Sequence, residues 1–391
     1  MDIELVKVKY GDFELGKPLP FSVYTPQQLL LLKKNTIVTT LHQFDILLER
    51  GVYRNLTEKE IQAREALKEE QKKLKSDPFV GIHFCANQLA TILHEISTQK
   101  PIDAQLEIHT LAKLLQIVIT LDPNAALGAI HLMHDSISYS ITHAIYTAIV
   151  SGLIGRRRNL LDTDNEIMIC AALTMNIGIV QLQDQLFEQA SPLTAIQRQQ
   201  IDAHPEHSAS LLKQAGITSE VWLDVIAQHH EKNDGSGYPN HLSGDGICEG
   251  AKIIALADIY TSLITGRKHR PPIIAHEAIK TLFAKRGGEI DEQLANQFIR
   301  EIGAYPPGTF IKLENGDIAI ITKRSVVKNN KTSGPYALSL VSPRGAKYQQ
   351  PHIRDCSIDL FKIHNALEVS PSDISLNIEE IWGYHGSDHK S

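Results

Sequence analysis

What is scarce in this 391-residue sequence is informative. Cysteine is one example: Cys85, Cys170, Cys248 and Cys356 stand far apart, with no Cys-x-x-Cys spacing. That pattern supplies neither a disulfide framework nor a zinc-finger ligand set, and it fits reduced thiols. No run approaches the roughly 20 apolar residues that cross a bilayer, so no membrane span is expected. The start, Met1 to Gly16, lacks a basic segment followed by an apolar one, so it does not read as a signal peptide. Together these absences make cytoplasm the expected location. An excess of positive charge is lacking too. The formal net charge of −6 argues against a general binder of nucleic-acid polymers. Arg156-Arg157-Arg158 and Arg267-Lys268-His269-Arg270 oppose that average locally, as solvated surface or as anion contacts. There is no internal repeat and no low-complexity tract.

What is present is ordinary for a globular chain, with 42% hydrophobic and 21% charged residues. The length exceeds what one core usually serves. The texture divides the chain into four regions. Residues 1–56 read as a small β-rich domain, with Val6 and Val8 alternating with lysines and further β-prone runs at Leu29–Leu32 and Thr36–Thr40. Within it, 41–51 reads as one short helix ended by Gly51. Residues 57–76 read as a connecting helix, opened by a capping box at Thr57-Glu58-Lys59-Glu60 and rich in Glu and Lys. From 77 to 302 apolar residues recur at helical spacing, as in Phe79–Ile96, Ala104–Ile119, Ile137–Leu153, Ile167–Met175 and Gln197–Ala215. About ten helices are predicted. Beyond Tyr305-Pro306-Pro307-Gly308, residues 303–391 read as a small C-terminal β domain. Its strands are Thr309–Leu313, Asp317–Lys323 and Tyr336–Val341, with Asn315-Gly316 as a hairpin turn, Lys328–Ser333 as a polar loop and Ser387–Ser391 as a frayed end.

Chemistry-bearing residues concentrate in the helical region: His143, His204-Pro205, His229-His230 with Glu231, and Asp258. Each has a plain structural explanation. A lone histidine such as His143 on an amphipathic helix is usually a hydrogen-bonded core residue, and His204-Pro205 fits a first helical turn. Asp258 is harder to dismiss, because its neighbours are apolar and a buried carboxylate needs a cationic partner. The stretch after His229-His230 is turn-rich, with Asp234-Gly235, Ser236-Gly237 and Pro239, and its glycines permit close approach of a ligand.

This string, His143, His204-Pro205, His229-His230-Glu231, Gly237-Tyr238-Pro239 and Asp258, resembles the HD-GYP family of bacterial metal-dependent phosphodiesterases that hydrolyse cyclic di-GMP. The resemblance covers about 138–302 and includes the segment from Ser243 to Leu263. It implies an HD-superfamily helical bundle, here flanked by the two β-rich regions, in a mainly α fold. It also implies metal ligands at His143, His204, His229, His230 and Asp258. Gly237, Tyr238, Pro239, Arg267 and Arg270 fall at positions that rim the family's ligand site.

The family's defining His-Asp pair is where this sequence departs. Ile177-Gly178 anchor the comparison, so Met175 replaces the histidine, Asn176 the aspartate and Ile179 a phosphate-contacting lysine. Asparagine is neutral and offers one metal its carbonyl oxygen, whereas the aspartate bridges two. A thioether is a poor ligand for iron, manganese or magnesium. The resemblance therefore implies one divalent metal, iron, manganese or zinc, at His204, His229 and His230, and no dinuclear centre. His134-Asp135 is a literal His-Asp dipeptide, but it precedes His143, where loop polarity accounts for it. Three readings remain open: a hydrolytically impaired signalling protein that binds cyclic di-GMP or a protein partner, an active phosphodiesterase with a reduced or rearranged metal site, and an interaction module with an empty cleft. A homodimer is compatible with each. No catalytic constellation is visible at either end of the chain.

Overall fold

A computed structural model describes residues 5–8, 13–25, 29–40, 43, 47, 52–55, 72, 74, 76–133, 137–268, 270–328, 331–368 and 377–384. Most of the connecting helix expected at 57–76, most of the helix expected at 41–51, His134-Asp135, His269 and Ser387–Ser391 lie outside the described residues. Contacts divide the chain into two compact units, 1–72 and 73–391.

In the first unit, β1 (Leu5–Lys7), β2 (Val23–Tyr24), β3 (Leu30–Leu32) and β4 (Tyr53–Asn55) form an antiparallel sheet in the order β1-β4-β2-β3. Leu19, Val23, Val38 and Val52 are buried beneath it. The expected run at Thr36–Thr40 contributes only the bridge between Pro18 and Ile37.

The second unit is mainly helical. Eleven α-helices lie between Pro78 and Ile302: α1 (Pro78–Ser97), α2 (Ala104–Leu121), α3 (Pro123–Leu132), α4 (Tyr139–Arg157), α5 (Asp162–Thr174), α6 (Val180–Glu188), α7 (Ala195–Gln214), α8 (Glu220–Gln228), α9 (Glu249–Thr265), α10 (Ala275–Ala284) and α11 (Glu292–Ile302). Local chemistry sets many of the boundaries. Asp77, Asp103 and Asp122 accept from the first free amides of α1, α2 and α3, and Thr194 with Gln197 forms a capping box on α7. The α4 helix is buried almost all round, and small residues let its neighbours close in. At Gly155, for example, a Cβ would stand 2.2 Å from Asn165 Oδ1. The stretch 162–188 is apolar and long enough to cross a membrane by length and composition, yet most of it is buried inside the bundle. It is broken by a 3-10 turn at Ile177–Ile179, which places Met175 and Asn176 at the bend.

The strands after Gly308 belong to this same compact unit, although the sequence set them apart at 303–391. β5 (Phe310–Leu313), β6 (Ile318–Lys323), β9 (Tyr336–Val341), β10 (Lys347–Asp355) and β11 (Ile363–Ala366) form an antiparallel sheet ordered β10-β9-β6-β5-β11. The Asn315-Gly316 turn joins β5 to β6, with Gly316 at φ +89° as that turn requires. One expectation is corrected here. Lys328–Ser333 is not a polar loop, because β7 (Val326–Lys328) pairs with β8 (Lys331–Ser333) as a small hairpin. Backbone pairing overrode its polar composition.

Side chains from the end of the chain tie the sheet to the bundle. In α12 (Ile378–Trp382), the Trp382 indole donates to Thr322 O (3.0 Å) and packs on Phe79. Its ring fills the place where a side chain at residue 128 would be, so Gly128 has to be glycine. Arg324 adds bonds to Glu301 and Asn124.

Candidate metal and ligand site

The site is built from helix ends. In α7, Pro205 has no N–H to give Ile201 O, and the His204 ring takes its place, with Nδ1 2.6 Å from that oxygen. His204-Pro205 thus lies inside α7, not in a first turn. At the end of α8, Ile226 O has lost its helical donor, and His229 Nδ1 reaches it at 2.6 Å. Both rings donate from Nδ1, so both Nε2 atoms carry lone pairs, and these face each other at 3.1 Å. His230 completes a group whose ligand atoms lie within 4.8 Å of one another. Lone pairs at that separation repel unless a cation stands between them.

A proton is not the cation this site favours. Burial, with the charge His229 would carry, pushes the His204 pKa down to about 3. Burial also lowers His229, and it holds His230 well below its ordinary value. Buried imidazoles, held by backbone carbonyls and turned toward one point, fit a single divalent ion. His204, His229 and His230 are the residues that would hold the ion here.

The other half of the expected site is different. His143 Nε2 lies 2.6 Å from Asp258 Oδ1, with both side chains largely buried. Burial opposes the charge on Asp258. The His143 hydrogen bond and charge outweigh it, aided by His230 and His229, so the carboxyl sits below its usual range. Thr261 Oγ1 is 3.4 Å from His143 Nδ1, and Tyr139 stacks on the ring at 5.3 Å. Met175 is fully buried in the apolar core, and Asn176 is buried and neutral. The two groups that would ligate a second ion are bonded to each other, and no carboxylate stands at 176 to bridge. Met175 and Asn176 supply no anionic ligand to a second metal.

The loop after α8 is pinned by a residue whose role the spacing did not disclose. Glu231, 3% exposed, accepts from Asn240 N (2.7 Å) and Leu242 N (3.0 Å). This curls the loop back so that Tyr238 stacks on His230 at 4.8 Å. Gly237 is required there, since a Cβ would come within 2.4 Å of Lys232 N. Pro239 follows Tyr238 through a cis peptide bond. Arg267 and Arg270 close a tight turn after α9 by mutual backbone bonds, and Lys268 N ties that turn to Phe187 O. Ile179 is half-buried in the turn after α5 and offers no charge to a ligand.

Tyr139 was also not foreseen. Its ring lies between Phe187 and His143. The only sequence hint is its position four residues before His143, which puts both on one helical face.

The HD domain family model matches residues 130–294, and that stretch is an HD domain. With its His-His-Glu and Gly-Tyr-Pro segments in place, this domain is similar to those of the HD-GYP phosphodiesterases. It is 28% identical over 202 residues to a cyclic di-GMP phosphodiesterase of Pseudomonas aeruginosa, covering 52% of this chain and 48% of that one. It is 28% identical over 152 residues to the cyclic di-GMP phosphodiesterase response regulator RpfG of Xanthomonas campestris, covering 39% and 40%. A 3'3'-cGAMP-specific phosphodiesterase of Vibrio cholerae matches at 28% over 152 residues, covering 39% and 28%. The chain thus spans half or less of the length of these curated relatives. Among solved structures, an HDG"Y"P protein from Bdellovibrio bacteriovorus superposes with a TM-score of 0.50 at 15% identity, covering 75% of this chain and 98% of that one. That likeness is one of fold.

Proposed function

We propose that this chain is a cyclic-dinucleotide receptor on an HD-GYP scaffold, which takes up cyclic di-GMP beside a single histidine-held metal and hydrolyses it little or not at all. One observation carries the reading: Met175 and Asn176 stand at the bend after α5, while His204, His229 and His230 still converge. The relatives' names supply the ligand class, cyclic dinucleotides. A divalent ion at the triad would supply positive charge to a phosphate oxygen; without a second ion and a bridging carboxylate, a water there is harder to deprotonate. The chain's own residues keep the binding functions. Tyr238, stacked on His230, offers an aromatic face to a base, and Arg267 and Arg270 offer guanidiniums to phosphates. A protein partner would read the bound state. Four unpaired cysteines agree with a cytoplasmic setting.

The test is metal analysis of protein purified without chelator, followed by calorimetry with cyclic di-GMP and assay of the linear product. The expected result is about one metal equivalent per chain, saturable binding and no turnover. Two equivalents with steady production of linear product would replace this reading with that of an active phosphodiesterase. No binding at high micromolar concentration would leave a purely structural module.

A further inference from the structure

A cavity of about 360 Å³ lies at the seam between the helical bundle and the C-terminal sheet. The end of α3, the segments 264–265 and 272–275 that lead from α9 into α10, and the start of β5 enclose it. Gly308, at φ +92°, lets the sheet close over it, since a Cβ there would stand 2.8 Å from His131 Cβ. None of the residues proposed to hold a metal or a dinucleotide lines it. The wall is mostly apolar, with Ile130, Met133, Ile264, Ile273, Phe310 and Leu367. Two of its hydroxyls are already spent: Tyr146 donates to Met133 O (3.0 Å) and Thr265 to Thr261 O (2.7 Å). Thr309 is the exception. It is 5% exposed, and its hydroxyl has no hydrogen-bond partner among the described residues. A buried hydroxyl left in that state is costly, and on a cavity wall it marks a missing partner.

We propose that this cavity takes one small neutral amphiphile, an apolar body with a single hydroxyl or amide end, and that the polar end bonds Thr309. Ligand pockets run from roughly 300 to 1,000 Å³, so the volume here suits a small molecule. Neutrality follows from the charges around it. Among the described residues no lysine or arginine lines the cavity, and the carboxylate of Glu368, exposed at its edge, would repel an anion. His131 supplies no positive charge: its Nε2 lies 3.2 Å from the Tyr260 hydroxyl, and burial pushes its pKa down to about 4. A cationic end would be drawn to Glu368 in solvent and would leave Thr309 as it is. A lone water is a poor substitute, because it needs roughly two to four polar partners and this wall is mostly apolar. Burial of the ligand's carbon against the isoleucines supplies affinity, and the one hydrogen bond decides which end enters.

The test is calorimetry on the full chain with two probes that share one body, 1-octanol and octanoate. Wild-type protein should bind about one octanol per chain, and octanoate at least tenfold more weakly. Thr309→Val keeps the side chain's shape and removes its hydroxyl. It is expected to weaken octanol by about three- to tenfold, the net worth of one neutral hydrogen bond. Its ligand-free melting temperature should hold or rise, because a buried hydroxyl without a partner has given way to a methyl group. Ile274→Trp fills the cavity from its wall and should abolish octanol binding, which keeps the test open if Thr309→Val folds poorly. Octanol affinity unchanged in both variants would overturn the site, as would octanoate that binds as tightly as octanol. Wild-type protein that binds neither probe at millimolar concentration would show a dry packing void. Thr309 and Ile274 lie outside the histidine triad and the Gly-Tyr-Pro loop, so failure of cyclic di-GMP binding would leave this result standing, and the reverse holds too.

Discussion

The two halves of the expected metal site have separated in character. At His204 and His229, with His230 beside them, bare nitrogens face one another, and these two rings are held by carbonyls that the helices leave without donors. At His143 and Asp258, the same kinds of residue are turned inward as a hydrogen-bonded pair, with Met175 taken into the core. The difference teaches what a bridging carboxylate does. A carboxylate there would add a negative charge beside both a histidine and an aspartate. With neutral Asn176 in that place, His143 and Asp258 satisfy each other, as a buried carboxylate needs a partner.

Acid should separate the halves most strongly. His204 ordinarily takes a proton near 6.5, but in the fold only near 3. Above 6.5 neither state holds the proton, so nothing is lost. As pH falls from 6.5 toward 3, the unfolded chain binds a proton that the folded one refuses, and stability drops. For His204 alone the loss is on the order of 5 kcal/mol across that window. Asp258 is depressed below its ordinary 3.8, so its contribution is intact above 3.8 and fades only as pH falls through the lower folded value. Urea melts of chelator-treated protein should therefore lose ground between pH 6.5 and 4. A flat profile there would show that the triad is not buried as neutral rings.

Next in size is removal of a triad member. His229→Ala should weaken zinc binding by about 100-fold or more, about 3 kcal/mol, as measured by competition with a chromogenic chelator. His143→Ala should change it by less than tenfold. Equal losses would mean that both halves hold one ion together. The smallest effect expected is from reversal. Met175→His with Asn176→Asp should add a second, weaker equivalent by metal analysis and bring slow production of linear product. No added metal would mean that the His143–Asp258 pair is locked by its packing.

Much of this was legible before the fold was known. His-His-Glu, Gly-Tyr-Pro and the spaced His143, His204 and Asp258 announced an HD domain, because ligands and tight turns demand particular side chains. The 3.6-residue periodicity announced the bundle, because an apolar stripe must be covered. Other features stayed hidden for physical reasons. The hairpin at Val326–Ser333 is polar, so composition spoke against the strands that pairing creates. The C-terminal sheet read as a separate domain, because the Trp382 contact joins residues far apart in sequence.

The sequence by itself determined which ligand atoms exist, and that the charge at 176 is gone. Only the tertiary structure decided how the remaining ligands are used. Pro205 and the end of α8 orient two imidazoles toward each other, and α4 against α9 gives His143 to Asp258. A side chain's partner is set by what packing brings within 3 Å, and neither residue type nor spacing contains that distance.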